Sequence, residues 1–402
     1  AGLLQGDRII FVDDKNIAGV KMPQDSMIRL MKGPKGSKVK ITVNRDGTLI
    51  PFDIIRDKIP VHCVDAAFMI DETTGYIKLS KFTRTTYKEF SEASKKLMDM
   101  GMKRLIFDLR DNTGGYFDQS WKLANEFLEK DDQVVYMEGR HRKREYFDAD
   151  GRGSMKDIEI SVLIDEGTAS SSEIFSGAIQ DNDRGTIVGR RSFGKGLVQS
   201  VRPIAYDGHL KVTTAHYYLP SGRCIQAIDY DKIRKEGKAA KDTVGGITPD
   251  VVFADSQKVD ITYSLYIKHM FFDYATLYHA NHDTIPSPQV FTLSDQDIED
   301  FIVFLDNKGY TYETETSKYF NDMINMAKHE DLDSTIIASF ESMRSSLKPS
   351  YKDAIRRNIE EVKEMLGAEI VERYYFQRGR IAYMLRFDKE LEQAIQIMQT
   401  KK

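Results

Sequence analysis

ISVLIDEGTASSSEIFSGAIQDNDRGTIVG, residues 160–189, passes from an apolar run through a hydroxyl-rich loop and a helix-like stretch to a second apolar run. ISVLIDEG (Ile160 to Gly167) has the length and apolarity of a buried strand, and GTIVG (Gly185 to Gly189) repeats the signal. SEIFSGAIQD between them reads as a helix. Strand, loop, helix and strand in that order form an α/β unit, whose sites lie at strand ends. Upstream, RLIFDLR (Arg104 to Arg110) is another buried-strand candidate. It runs into a Gly114-Gly115 loop and a helix with Trp121, Ala124, Phe127 and Leu128 on one face. Downstream, LVQSVRPI and HLKVTTAHYYL read as strands. Residues 59–255 are therefore expected to form an α/β core.

The flanks read differently. In residues 1–58, GDRIIFVDD is a strand ending in a turn, and PQDSMIRLMKG is a short helix with Met27, Ile28 and Met31 at helical spacing, closed by Gly33. Val39, Ile41 and Val43 alternate with polar residues ahead of Asp46-Gly47, a favoured hairpin turn, so two paired strands follow. Residues 256–402 read as helical. Ser294 suits an N-cap for DQDIEDFIVFL, with Asp297 three residues on and Gly309 past the end. Tyr351, Ile355, Ile359, Val362 and Leu366 form an apolar stripe on another helix. Such stripes suit packing into a helical domain, a lid, a substrate cradle or a homo-oligomer contact.

Bulk properties remove several function classes. The 402 residues hold 58 Lys plus Arg against 62 Asp plus Glu, a net charge of -4 that lacks the basic excess of a nucleic-acid binder. No apolar run approaches the roughly 18 residues that span a bilayer. Cys63 and Cys224 have no metal-ligand spacing, and the eight histidines form no HExxH motif, so no metal is expected. The two cysteines are expected to be free and buried. No signal peptide stands at Ala1, but AGLLQGDRII reads as the middle of a domain, so the mature N-terminus, and any targeting segment, is expected to lie outside this sequence.

Three segments can carry chemistry. Thr168, Ser170, Ser171 and Ser172 sit where a strand gives way to a helix. A serine there can project its oxygen at a helix N-terminus, whose free N–H groups favour negative charge. A plain N-cap cluster accounts for the same residues, and physical reasoning does not separate Ser170 from Ser171 or Ser172. RRSFGKGLVQS (Arg190 to Ser200) holds Lys195 between two glycines, which is also the pattern of a surface turn. DLRDNTGGYFD (Asp108 to Asp118) ends a strand in a Gly-Gly loop that can aim N–H groups at an oxyanion, or simply connect strand to helix. Two motif matches fail. Gly189 to Lys195 fits a phosphate-binding loop, but Gly196 replaces the magnesium-ligating hydroxyl and a strand follows instead of a helix, so no nucleotide is expected. Ser192 to Lys195 fits S-x-x-K, but the glycines at 194 and 196 oppose the helix that motif needs.

Taken together, DLRDNTGGYF, TASSSEIFSGAIQDNDRGTIVG, SFGKGLVQS, YYLPSGRCIQ and GITPDVVF resemble the carboxy-terminal processing (tail-specific) serine protease family in order and spacing. AGLLQGDRII and LMKGPKGSKVKITV resemble the latter part of a PDZ domain. The resemblance implies a multidomain α/β protein: a partial, β-rich PDZ-like module (1–58), a ClpP/crotonase-like serine protease core (59–255) and a C-terminal helical domain (256–402). It implies Ser170 as nucleophile, Lys195 as general base and Gln199 as the group that orients the lysine. The implied oxyanion hole uses backbone N–H groups of Gly114 or Gly115 and of Ser171. Thr168 and Ser171 depart from the family's serine motif and leave the nucleophile in place. Asp181 matches a family aspartate of structural or catalytic role. A lysine serves as a base only when neutral, which calls for burial without a carboxylate partner.

The resemblance further implies peptide hydrolysis through an acyl-enzyme without metal or organic cofactor. The implied substrates are unstructured protein C-termini, and the implied location is the bacterial periplasm or cell envelope. PDZ domains capture a free C-terminus by strand addition, and the loop that would bind its carboxylate is expected ahead of Ala1. The alternative is a catalytically silent scaffold that binds peptides.

Overall fold

The computed structural model describes every residue except 1, 46, 141, 229, 231–232, 235–244, 255–259, 347–349 and 401–402. Asp46 of the expected Asp46-Gly47 turn and the expected boundary at 255/256 lie outside the described residues. The chain divides into two compact units. One joins residues 1–60 to 257–387, and the other joins 61–256 to 388–402.

The front module holds β1 (Arg8–Val12), β2 (Lys15–Asn16), α1 (Gln24–Met31), β3 (Lys38–Arg45) and β4 (Thr48–Ile55), with sheet order β2-β1-β3-β4. Arg45 pairs with Thr48 across the antiparallel β3–β4 hairpin, as the alternating pattern predicts. Val12, Ile17, Val39, Ile41 and Val43 fill its small core.

Residues 61–256 form the core unit. Strands β5 (Val64–Met69), β6 (Thr74–Leu79), β7 (Arg104–Asp108), β10 (Glu159–Ile164), β11 (Gly185–Gly189) and β14 (Val251–Val252) make a six-stranded sheet in the order β14-β11-β10-β7-β6-β5. Only β5 runs antiparallel to its neighbour. Leu105 to Phe107 and Val162 to Ile164 are fully buried, as central strands covered on both faces must be. A second, antiparallel sheet has the order β12-β13-β8-β9, from β8 (Gln133–Gly139), β9 (Arg142–Asp148), β12 (Leu197–Ile204) and β13 (Gly208–Tyr218).

Helices α2 (Thr86–Asp99), α3 (Phe117–Asn125) and α4 (Ser171–Asp181) belong to this core. Helix α3 ends before Phe127 and Leu128, which the helical periodicity placed on its face; both lie in the following turn and are fully buried. Helix α4 is buried from Ser171 to Ile179. Its Phe175 ring meets Phe107 of β7 edge-on at 5.1 Å, and burying such a ring is worth about 1.5–3 kcal/mol. The helix that carries the hydroxyl cluster is thereby pinned to the sheet.

The helices of the other unit are α5 (Asp260–Ile267), α6 (Met270–Asn281), α7 (Asp295–Asn307), α8 (Glu315–His329), α9 (Ser334–Ser346), α10 (Tyr351–Arg357) and α11 (Ile359–Met384). Ser294 caps α7 through a reciprocal bond with Asp297, as expected. The stripe from Tyr351 to Leu366 belongs to two helices, because the chain breaks at Asn358, whose side-chain amide donates to the Ala354 carbonyl at 2.8 Å. Ile355, Val362 and Leu366 are buried on both sides of that break. The last helix, α12 (Lys389–Thr400), belongs to the core unit, where Leu391, Ala394 and Met398 are buried. Cys63 is buried, Cys224 half-buried, and both are free thiols. Among the described residues no helix is long and apolar enough to cross a membrane.

Candidate active site

The hydroxyl cluster resolves into residues with different tasks. The Thr168 hydroxyl donates to the Leu109 carbonyl at 2.8 Å, Ser171 to the Gly115 carbonyl at 3.0 Å, and Ser172 to the Asn112 carbonyl at 2.9 Å. Three hydroxyls thus tie the start of α4 to the loop after β7. Ser170 differs from them. It is half-buried, occupies the N-cap of α4, and has φ 58 and ψ -115. That region favours glycine, and a non-glycine residue there stores on the order of 1–3 kcal/mol of strain, a feature concentrated at functional sites.

Glu173 holds that strained residue. Its buried carboxylate accepts the Ser170 N–H at 2.7 Å and the Lys195 N–H at 2.9 Å on Oε2. Oε1 accepts the Ser192 hydroxyl at 2.5 Å and the Gly194 N–H at 2.7 Å. Burial pushes its carboxyl above the ordinary glutamate value, against the pull of these four donors. Glu173 was missed as a functional residue in the sequence. The available signal was Ser170-x-x-Glu173, a capping-box pattern that here also reaches a second loop.

Lys195 is half-buried in that loop. Gly196 passes so close to the chain at 225–226 that a Cβ would lie 2.4 Å from the Gln226 nitrogen, which explains the glycine after the lysine. Among the described residues no carboxylate forms an ion pair with the Lys195 amine. Gln199 is exposed on the edge strand β12, and no described hydrogen bond joins its side chain to Lys195. It lines a cleft of about 810 Å³ with Arg140, Thr213, His216 and Gln226, whose lining includes neither Ser170 nor Lys195. Asp181 pairs with Arg223 at 2.8 Å and accepts the Ser221 N–H at 3.0 Å, so its partners are structural.

The Gly-Gly loop lies directly against the serine. A Cβ on Gly114 would stand 2.8 Å from both Ser170 Cβ and the Ser171 nitrogen. Of the two glycines, Gly114 donates its N–H to Asn112 Oδ1 at 2.9 Å. The N–H groups of Gly115 and Ser171 have no described acceptor. Asn112 is itself fixed by donating to the Leu79 carbonyl at 2.8 Å.

Two family profiles match the chain. Residues 73–253 match "Peptidase family S41", and residues 261–398 match "Probable PDZ-protease, C-terminal helical domain". A carboxy-terminal-processing protease of Bartonella bacilliformis is 38% identical over 259 residues, covering 63% of this chain and 55% of its own. A protein of Staphylococcus saprophyticus described as a "Probable CtpA-like serine protease" is 33% identical over 226 residues, covering 56% of this chain and 45% of its own. The chain thus spans about half the length of these curated relatives. Among solved structures, the photosystem II D1 C-terminal processing protease is 27% identical, covering 63% of this chain and 64% of its own, with a TM-score of 0.40.

Proposed function

We propose, on the premise that residues 73–253 form a peptidase family S41 domain, that the chain is a serine endopeptidase working by a Ser170–Lys195 dyad. The observation that carries the reading is the Glu173 carboxylate, which joins the strained Ser170 backbone to the loop of Lys195. In the proposed reaction Ser170 Oγ attacks the peptide carbonyl while the Lys195 amine takes its proton. The tetrahedral oxyanion is received by the N–H groups of Gly115 and Ser171, the latter at the positive end of α4. Lys195 returns the proton to the leaving amine, and water then hydrolyses the acyl-enzyme by the same base. Gln199 is the residue proposed to orient the lysine.

The proposed substrates are flexible protein C-termini, and the proposed location is the bacterial periplasm or cell envelope, in keeping with the bacterial relatives. The β-rich front module is proposed as PDZ-like, which agrees with the PDZ-protease description matched by residues 261–398. The test is hydrolysis of an unfolded reporter with an apolar C-terminal tail. The parent is expected to cleave it, and folded Ser170→Ala and Lys195→Ala variants are expected not to. A Ser170→Ala variant that cleaves like the parent overturns the nucleophile assignment. A parent that binds tails without turnover favours the silent scaffold.

A further inference from the structure

Two arginines follow the strands on either side of β10. Arg110 lies two residues beyond β7 and two before Asn112, and Arg190 lies one beyond β11 and two before Ser192. Each guards the entry to one loop of the candidate site. Both reach the same acidic residue at the far end of the sequence. Arg110 donates to Glu390 Oε2 at 2.9 Å and to Asp388 Oδ2 at 2.6 Å. Arg190 donates to the other oxygen of Glu390 and, through Nε, to Glu166 at 2.8 Å. Asp388 caps α12 by accepting the Leu391 N–H at 3.0 Å.

These pairs are not loose surface contacts. The Glu390 side chain is 9% exposed, and those of Arg110 and Arg190 are 16% and 24% exposed. The apolar face of α12, with Leu391, Ala394 and Met398 buried, supplies hydrophobic docking by itself. Buried carboxylates add a desolvation cost, and the best-attested return for such a cost is fixed registry. The registry here joins the two loops. Beyond Arg110, the Asp111 N–H donates to Asp165 and Asn112 fixes Gly114; beyond Arg190, Ser192 donates to Glu173.

We propose that Asp388 and Glu390 are positioning residues: by holding Arg110 and Arg190 together, the start of α12 sets the Gly115 loop and the Lys195 loop at a fixed separation around Ser170. The catalytic half of this proposal rests on the peptidase reading, but the loop-holding half does not. Hydrogen exchange of the full chain reads the loops directly, and steady-state kinetics on the tailed reporter reads the chemistry. In Glu390→Gln, exchange of amides in 111–116 and 192–196 is expected to speed up about tenfold or more. In the same variant kcat is expected to fall roughly 10- to 100-fold, as small misplacements of reacting groups do. KM is expected to stay within about threefold, because substrate contacts are untouched. Unchanged exchange in both loops overturns the proposal, as does a loss confined to melting temperature with kcat retained. If Glu390→Gln does not fold, Asp388→Asn breaks a contact of Arg110 alone. It is then expected to loosen 111–116 and spare 192–196, and equal effects on both loops overturn the clamp. A parent that cleaves nothing sinks the peptidase reading while exchange still decides the clamp.

Discussion

Glu173 accepts the backbone N–H of Lys195 at 2.9 Å, on the oxygen that also accepts the Ser170 N–H at 2.7 Å. One carboxylate therefore sets the distance between the two backbones that hold the proposed nucleophile and base. All four groups around it are donors, and the Ser192 hydroxyl is fixed as one because it accepts the Ile247 N–H at 2.7 Å.

An amide cannot serve that cage. In Glu173→Gln the new NH2 group must face two donors whichever way it turns. A buried donor left without an acceptor costs about 1–3 kcal/mol. The misplaced loop is expected to lower kcat by roughly 100-fold. Urea titration and kinetics on the tailed reporter check the two effects separately. Parent-like kcat in Glu173→Gln removes the carboxylate from the positioning scheme.

The same residue gives the pH dependence a sign. Burial raises the Glu173 carboxyl above its unfolded value. Its contribution to stability is then fully present below the unfolded value and is lost as pH rises through the folded one. Urea titrations across pH are expected to show the parent losing stability relative to Glu173→Gln as pH rises through a value above an ordinary glutamate, about 4.3. A stability difference between the two that does not change with pH removes Glu173 from the pH dependence.

Much of this was legible in residues, and what was not has physical reasons. The strands around Ile160 to Gly189 announce themselves because parallel strands covered on both faces must be apolar throughout. Ser170, Ser171 and Ser172 are chemically equal in a string. They separate only through backbone strain at 170 and carbonyl partners 56 and 60 residues away for the other two. Phe127 and Leu128 keep helical spacing with Trp121, yet burial in a turn satisfies them equally, so periodicity overran the helix end. Glu390 lies in an ordinary amphipathic helix pattern, and nothing local marks it as the partner of arginines 280 and 200 positions earlier.

Ser170 separates strain from chemistry. At φ 58 and ψ -115 an alanine keeps the backbone conflict and a glycine removes it. Ser170→Gly is therefore expected to be about 1 kcal/mol more stable than Ser170→Ala. Both are expected to lose hydrolysis by at least on the order of 10³-fold. Thermal melts of the pair decide the first point. Equal melting temperatures would mean that the backbone relaxes at this position and stores no strain for Ser170 to use.

Gly114 offers the converse test, in which the proposed nucleophile and base stay intact while their surroundings move. An added methyl would meet the Ala169 carbonyl at 2.6 Å and both Ser170 Cβ and the Ser171 nitrogen at 2.8 Å, on a backbone with φ 87. The methyl can fit only if the Gly-Gly loop retreats from α4, which carries the Gly115 N–H away from the proposed oxyanion position and stretches the Ser171 bond to the Gly115 carbonyl. Removal of one oxyanion donor costs roughly 10²–10³ in kcat. Gly114→Ala is thus expected to lose kcat by that amount with a smaller change in KM, because only the transition state carries the oxyanion. Reaction with a small fluorophosphonate distinguishes the causes: stoichiometric but slow labelling of Ser170 points to a lost oxyanion donor. Parent-like kcat would show that the loop retreats without consequence, and the oxyanion site would then have to be sought away from Gly115.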